Sequence, residues 1–227
     1  MTMSEIVFQN QDIVIADKSH SIPTVPLKRQ PLEGTLLGLV SMTCPDVLSV
    51  RGRNEWEFGA LHRLDTATSG LVVFARSQAI YEHILDMQSK DLFKKTYRAV
   101  TEESDRLKGK DTPEQALEDL RCSKLVNLTS YFRSYGPGSK AVRAIQDIKR
   151  SDNKVQYTTL LNKKDEVFTC IITRGFRHQI RAHLAYLGFP IKGDALYGLG
   201  HEGDTLELDC FKVSFPLPDG SVFTFSR

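Results

Sequence analysis

Residues Gly59 to Ala75, GALHRLDTATSGLVVFA, constrain this chain more than any other stretch. Leu71-Val72-Val73-Phe74 is an unbroken run of branched and aromatic residues, the composition of a buried strand. Just before it stand His62, Arg63 and Asp65, then a small polar turn, Thr66 to Gly70. A carboxylate on a turn that feeds a buried strand lies at the mouth of a sheet, where rigid elements present reactive groups. The same arrangement also suits a turn whose Asp65 only accepts backbone hydrogen bonds, a routine use of Asp. Spacing alone leaves those two readings level.

The 227 residues are enough for one large domain or two small ones with a substantial core. With 41% hydrophobic and 26% charged residues the composition excludes wholesale disorder. Cys44, Cys122, Cys170 and Cys210 are widely separated with no Cys-x-x-Cys pair, which argues against a structural zinc and a disulfide framework. A reducing, cytoplasmic setting is expected. The opening MTMSEIVFQNQD carries Glu5 and no early basic residue, so it does not read as a secretory signal. No apolar run approaches a membrane span.

The formal net charge is only +2, yet its distribution is uneven. Arg133 to Arg150 holds five basic residues and one acidic, and Arg174 to Lys192 holds four basic and none acidic. Glu202, Asp204, Glu207 and Asp209 form an opposing acidic cluster. A near-neutral total can therefore conceal a basic face, although charge runs are more often the solvated rims of strands.

Along the chain, Ile6 to Phe8 and Asp12 to Ala16 read as strands joined by a polar turn, with Lys18 after the second. The apolar stripe from Thr35 to Met42 predicts a helix ended by Pro45. Ser77 is placed to cap a helix carrying Ile80, His83, Ile84 and Met87 on one face, with His83 a packing residue. Phe93 to Val100 alternates as a strand, with Tyr97 and Ala99 on one side. Thr101 to Asp119 is polar and reads as a surface excursion. Val142 to Ile148, Val155 to Leu161 and Val167 to Thr173 read as three strands in consecutive hairpins, hence an antiparallel sheet. Ile180, His183, Leu184 and Leu187 form a helical stripe, with Arg177 and Arg181 one turn apart on another face. Leu206 to Phe215 and Val222 to Phe225 read as a hairpin closed by Pro218-Asp219-Gly220.

Three of these segments together resemble the RluA-type pseudouridine synthases. HRLDTATSGL is similar to that family's H-R-L-D-x-x-T-S-G-L signature. Lys95, Tyr97 and Ala99 resemble its K-x-Y-x-A-x-V element, and HQIRAHLAYLGFPIKGDALYG resembles its third motif. Two departures stand out: Lys18 is kept without the Pro-Gly turn that follows it in the family, and Phe176-Arg177 replaces an Arg-Thr. The resemblance implies an α+β fold, a mixed, mainly antiparallel sheet with flanking helices and a central catalytic cleft. It implies one catalytic domain over residues 1–227, without a separate S4 RNA-binding module. It also implies a catalytic Asp65, a Tyr97 beside it, and Arg181 holding the carboxylate ionised and oriented. Arg63 would displace the target uridine, and His62, Arg177, His178 and Gln179 would contact RNA. The reaction implied is isomerisation of a uridine in structured ribosomal or transfer RNA to pseudouridine, by a flipped base and with neither cofactor nor metal. A monomer is expected.

Two other chemistries compete. His62, Asp65, His178, His183 and Asp194 are metal-ligand types, but His178 and His183 are five apart, unlike the four-residue spacing of helical zinc sites. A non-catalytic RNA-binding domain would retain the same surfaces, and only turnover separates it from the enzyme.

Overall fold

The computed structural model describes residues 3–227; Met1 and Thr2, where the segment read against a secretory signal begins, lie outside them. In chain order the elements are β1 (Glu5–Gln9), β2 (Ile13–Lys18), α1 (Leu36–Thr43), β3 (Ser69–Ala75), α2 (Gln78–Ser89), β4 (Lys94–Val100), α3 (Glu114–Arg121), β5 (Val126–Tyr135), β6 (Ala141–Ile145), β7 (Tyr157–Lys164), β8 (Val167–Ile172), α4 (Gln179–Tyr186), β9 (Leu208–Pro216) and β10 (Val222–Ser226). They form an α+β fold with a mixed, mainly antiparallel sheet. The residues divide into two compact units, one drawn from Met1–Lys94 with Asp209–Arg227, the other from Lys95–Leu208.

In the first unit β1 pairs antiparallel with β2, β2 with β3, and β9 with β10, while β3 and β9 run parallel. Every residue of β3 is buried, as expected of a strand covered on both faces. The parallel contact is made at Ser69 and Gly70. A Cβ on Gly70 would stand 2.3 Å from the carbonyl oxygen of Cys210, and its φ of 115° disfavours any side chain. Glycine here is a condition of the β3–β9 pairing. Thr35 caps α1 by accepting from the Gly38 amide, and Ser77 caps α2 by accepting from the Ile80 amide.

In the second unit all pairings are antiparallel, in the order β4, β8, β7, β5, β6. Here the structure corrects the sequence reading. β7 and β8 do form a hairpin, but among the described residues β6 pairs with β5 alone, and β5 inserts next to β7. β5 carries a clear alternation, with Val126, Leu128, Ser130 and Phe132 buried, but its middle is polar enough to pass for loop. The excursion from Thr101 to Asp119 also folds back: α3 buries Leu117 and Leu120. Two leucines one turn apart are too short a pattern to predict a helix. Phe132, Val142, Ala182 and Tyr197 lie at the core of this unit. Phe176, one of the two departures, stacks on Phe132 with ring centroids 4.8 Å apart and so completes that core.

Candidate active site

In the first unit Asp65 is half-buried, at the head of a turn closed by the Thr68 amide donating to its carbonyl at 2.9 Å. The backbone on either side is clamped. Thr24 uses one hydroxyl twice, donating to the carbonyl of Leu64 at 3.0 Å and accepting from its amide at 3.1 Å. On the other side, the carbonyl of Thr66 accepts from the Ser21 amide and from the Lys18 ammonium, both at 3.0 Å. His20 Nδ1 lies 2.8 Å from the Ala67 carbonyl. The segment after β2 thus grips the turn at Leu64, Thr66 and Ala67.

Lys18 is the hub of that grip. Its side chain is fully buried, and Nζ donates to the carbonyls of Ser19, Ile22 and Thr66 at 3.0, 2.8 and 3.0 Å. Burial pulls its pKa down from the usual 10.5 to about 8, against the opposing field of the Asp65 carboxylate. The loop manages without the Pro-Gly turn because Ser21 itself takes a left-handed φ of 66°.

Arg63 projects to solvent, and its guanidinium pairs with Glu57 at 2.8 Å. Glu57 is buried and its carboxylate also accepts from the Asn54 side-chain amide at 3.0 Å, so the acceptor is fixed while the cation remains accessible. His62 is half-buried, its Nε2 accepting from the Val73 amide at 3.3 Å. The structure therefore brings His62, Arg63 and Asp65 together on one braced loop.

In the second unit Tyr97 is buried on β4, opposite Cys170 of β8. Arg181 is buried on α4, its Nε and Nη2 donating to the two oxygens of Asp194 at 2.7 Å each. Asp194 Oδ1 also accepts from the amides of Leu196 and Tyr197, at 2.9 and 3.0 Å. Four donors on one buried carboxylate leave little of its charge uncompensated. The guanidinium lies 5.0 Å from the ring centre of Tyr197, whose hydroxyl meets His178 Nδ1 at 2.9 Å and accepts from the Val142 amide at 2.8 Å. Burial raises the pKa of that hydroxyl to about 12.

One expectation needs correction, that Arg177 and Arg181 share a helix face. Arg177 does not lie on the helix with Arg181: His178 takes a left-handed φ of 56° immediately before α4, so Arg177 belongs to the preceding turn. There it is exposed and donates to the Ser139 carbonyl at 2.6 Å. Gln179, expected to contact RNA, is 2% exposed. Its Oε1 accepts from the Phe176 amide, and its Nε2 donates to Thr158 and Thr159, all at 3.0 Å. Its place is to fix the turn into α4.

Lys18, Thr24, Glu57, Asp194 and Tyr197 are parts of these arrangements that the candidate residues did not include. Lys18 carries a signal in the sequence, as a lysine kept where its neighbours differ, and Asp194 lies inside the third motif and is also a metal-ligand type. Among the described residues no group of three or more His, Cys, Asp or Glu is placed to hold a metal ion. No helix among them is long and apolar enough to cross a membrane.

The sequence model of the family described as RNA pseudouridylate synthase matches residues 12–186, which include the Asp65 loop, β4 and α4. The chain belongs to this family. Among curated members it is 27% identical over 194 residues to Pseudouridylate synthase RPUSD2 of Homo sapiens, covering 85% of the chain and 30% of that protein. It is 31% identical to Uncharacterized RNA pseudouridine synthase YhcT of Bacillus subtilis, over 86% of the chain and 58% of the relative. With Ribosomal large subunit pseudouridine synthase D of Haemophilus ducreyi it shares 27% identity, over 85% of the chain and 52% of the relative. The chain therefore spans between 30% and 58% of the length of these relatives. Human RNA Pseudouridylate Synthase Domain Containing 1 has the same fold, with a TM-score of 0.67 at 19% identity, covering 99% of this chain and 83% of that one.

Proposed function

We propose that this protein isomerises a uridine in structured RNA to pseudouridine, with Asp65 as the catalytic carboxylate. The observation that carries the reading is the clamp on Asp65, whose neighbours on both sides are held by Thr24, Ser21 and Lys18. A merely structural turn does not call for a buried ammonium beside its carboxylate, whereas a reacting group must be held within a fraction of an ångström. The family match over residues 12–186 runs through both units and supports treating the chain as one catalytic domain.

The chemistry needs few parts. The carboxylate of Asp65 initiates cleavage of the bond between uracil N1 and ribose C1′, and the electron pair leaves with N1. The uracil turns, C5 bonds to C1′, and C5 then loses its proton to a base while N1 gains one. Atoms and charge balance, so the step is an isomerisation. Tyr97 and Arg181 are proposed for the supporting roles the resemblance gives them, proton removal and charge support. Arg63, exposed yet anchored by Glu57, is suited to enter the space a flipped base vacates. His62, His178 and Arg177 are proposed RNA contacts. Ribosomal RNA is the substrate class favoured, after the name of the Haemophilus ducreyi relative; transfer RNA is the alternative. The protein is proposed to act as a monomer in the cytoplasm.

The test is release of tritium from RNA whose uridines are labelled at carbon 5. Asp65→Asn, nearly isosteric, should bind RNA and keep its fold while releasing no tritium. Substantial turnover by that variant would overturn the assignment, and turnover absent from the wild type on any RNA would favour a binding protein.

A further inference from the structure

We propose that a recess on the first unit, between the loop 26–32 and the turn 55–58, docks an unpaired nucleobase of the RNA strand that carries the target uridine. The proposal rests on the RNA-modifying reading above and adds a second contact to it. The recess has a volume of about 700 Å³, and Trp56, Phe58, Lys28, Arg29 and Gln30 contribute to its lining.

Three features fit a base better than a packing defect. Trp56 is only half-buried, which leaves aromatic surface facing solvent beside Phe58. Among the described residues neither the Trp56 indole N–H nor the side chains of Lys28, Arg29 and Gln30 makes a hydrogen bond or ion pair. An aromatic floor, a basic rim and a free amide are the elements by which proteins hold single-stranded nucleic acid: stacking for the base, charge for the phosphate. Glu55 also belongs to the lining, and its exposed carboxylate disfavours phosphate on its own side.

The turn is also held in an uncommon conformation. Phe58 has a left-handed φ of 46°, rare for a bulky residue. Glycines on either side allow the close packing that holds it. A Cβ on Gly52 would fall 2.6 Å from the Phe58 carbonyl oxygen, and one on Gly59 would fall 2.3 Å from that of Ala75. Between the two aromatics stands Glu57, the residue that anchors Arg63. One short turn therefore both shapes the recess and sets the cation two residues before Asp65. A strand engaged by Arg63 has a neighbouring nucleotide to place, and the recess offers it an aromatic surface.

Trp56 is the only tryptophan, so its emission reports on this recess alone. The probe is hexaadenylate, a single strand with no uridine and therefore no substrate. Its addition should quench the emission saturably. Tripolyphosphate and a GCGCGC duplex, which offer phosphate without an unpaired base, should not. Lys28→Ala/Arg29→Ala, changed only at exposed positions, should weaken hexaadenylate binding and flatten its salt dependence by ~0.7 for each phosphate no longer neutralised. Anisotropy of labelled hexaadenylate should show roughly 5- to 150-fold weaker binding to Trp56→Leu, the range expected when one base–aromatic stack is removed. No saturable quenching, or equal quenching by tripolyphosphate or the duplex, would overturn the proposal without reference to any variant. The two readings separate cleanly. A protein that quenches with hexaadenylate but releases no tritium keeps the docking site and loses the isomerase; one that releases tritium without quenching keeps the isomerase and loses the docking site.

Discussion

Replacing Lys18 by Met tests whether the buried ammonium serves the site or the stability of the fold. Two opposing terms can be set against each other at pH 7. Removing Nζ deprives the carbonyls of Ser19 and Ile22 of their donor, at ~1–3 kcal/mol each, while Thr66 keeps the Ser21 amide. Against this, the fall in pKa from 10.5 to about 8 means that holding the charge in the fold costs about 3.5 kcal/mol, at ~1.4 kcal/mol per unit. The terms largely cancel, so Lys18→Met should unfold within about 2.5 kcal/mol of the wild type at pH 7. The pH dependence is sharper. A lysine whose folded pKa is lowered binds fewer protons when folded than when unfolded between about 8 and 10.5, so stability rises with pH across that window. Urea unfolding at pH 7 and pH 10 should therefore show the wild type gaining at most about 2.5 kcal/mol on the Met variant, whose other groups cancel in the difference. A gap that moves by less than about 0.5 kcal/mol would refute a depressed Lys18. Tritium release by Lys18→Met should meanwhile fall on the order of 100-fold, because the turn carrying Asp65 loses its grip.

Other outcomes follow from the same geometry. Arg181→Met should cost ~3–5 kcal/mol by stranding the buried Asp194, and Arg181→Met/Asp194→Asn, which removes the charge but keeps an oxygen for the Leu196 and Tyr197 amides, should recover part of it in denaturant titrations. A double variant no more stable than the single would remove the pair from the stability of the second unit. His183 is fully buried between the hydroxyls of Ser130 and Thr159, each at 2.8 Å, and burial lowers its pKa from 6.5 to about 3. The unfolded state then takes up the proton first, so stability falls as pH drops from 6.5 towards 3; His183 should account for about 1.5 kcal/mol between pH 6.5 and 5. A His183→Gln protein with the same acid slope would contradict this. Gly70→Ala should destabilise by at least ~2 kcal/mol through the clash with Cys210 and the positive φ, and a variant within about 0.5 kcal/mol of wild type by thermal unfolding would show that β3 and β9 can part.

What could be read along the chain was what short-range chemistry determines. The apolar run of Leu71 to Phe74 is a buried strand wherever it is placed, Ser77 caps whatever helix follows it, and the Ile180–Leu184 stripe is a helix before any partner is known. The Asp65 signature belongs to the same class, because its residues lie on one loop and share its geometry. What only the tertiary structure decided involves residues distant in sequence or a single backbone angle. Lys18 gains its meaning from the carbonyl of Thr66, Arg181 from Asp194, and β5 from the two strands it separates. A left-handed His178 sends Arg177 off the helix that periodicity assigned to it. Burial of a charge, and the choice of the group that neutralises it, are set by what the fold brings within about 3 Å, and no local pattern encodes that distance.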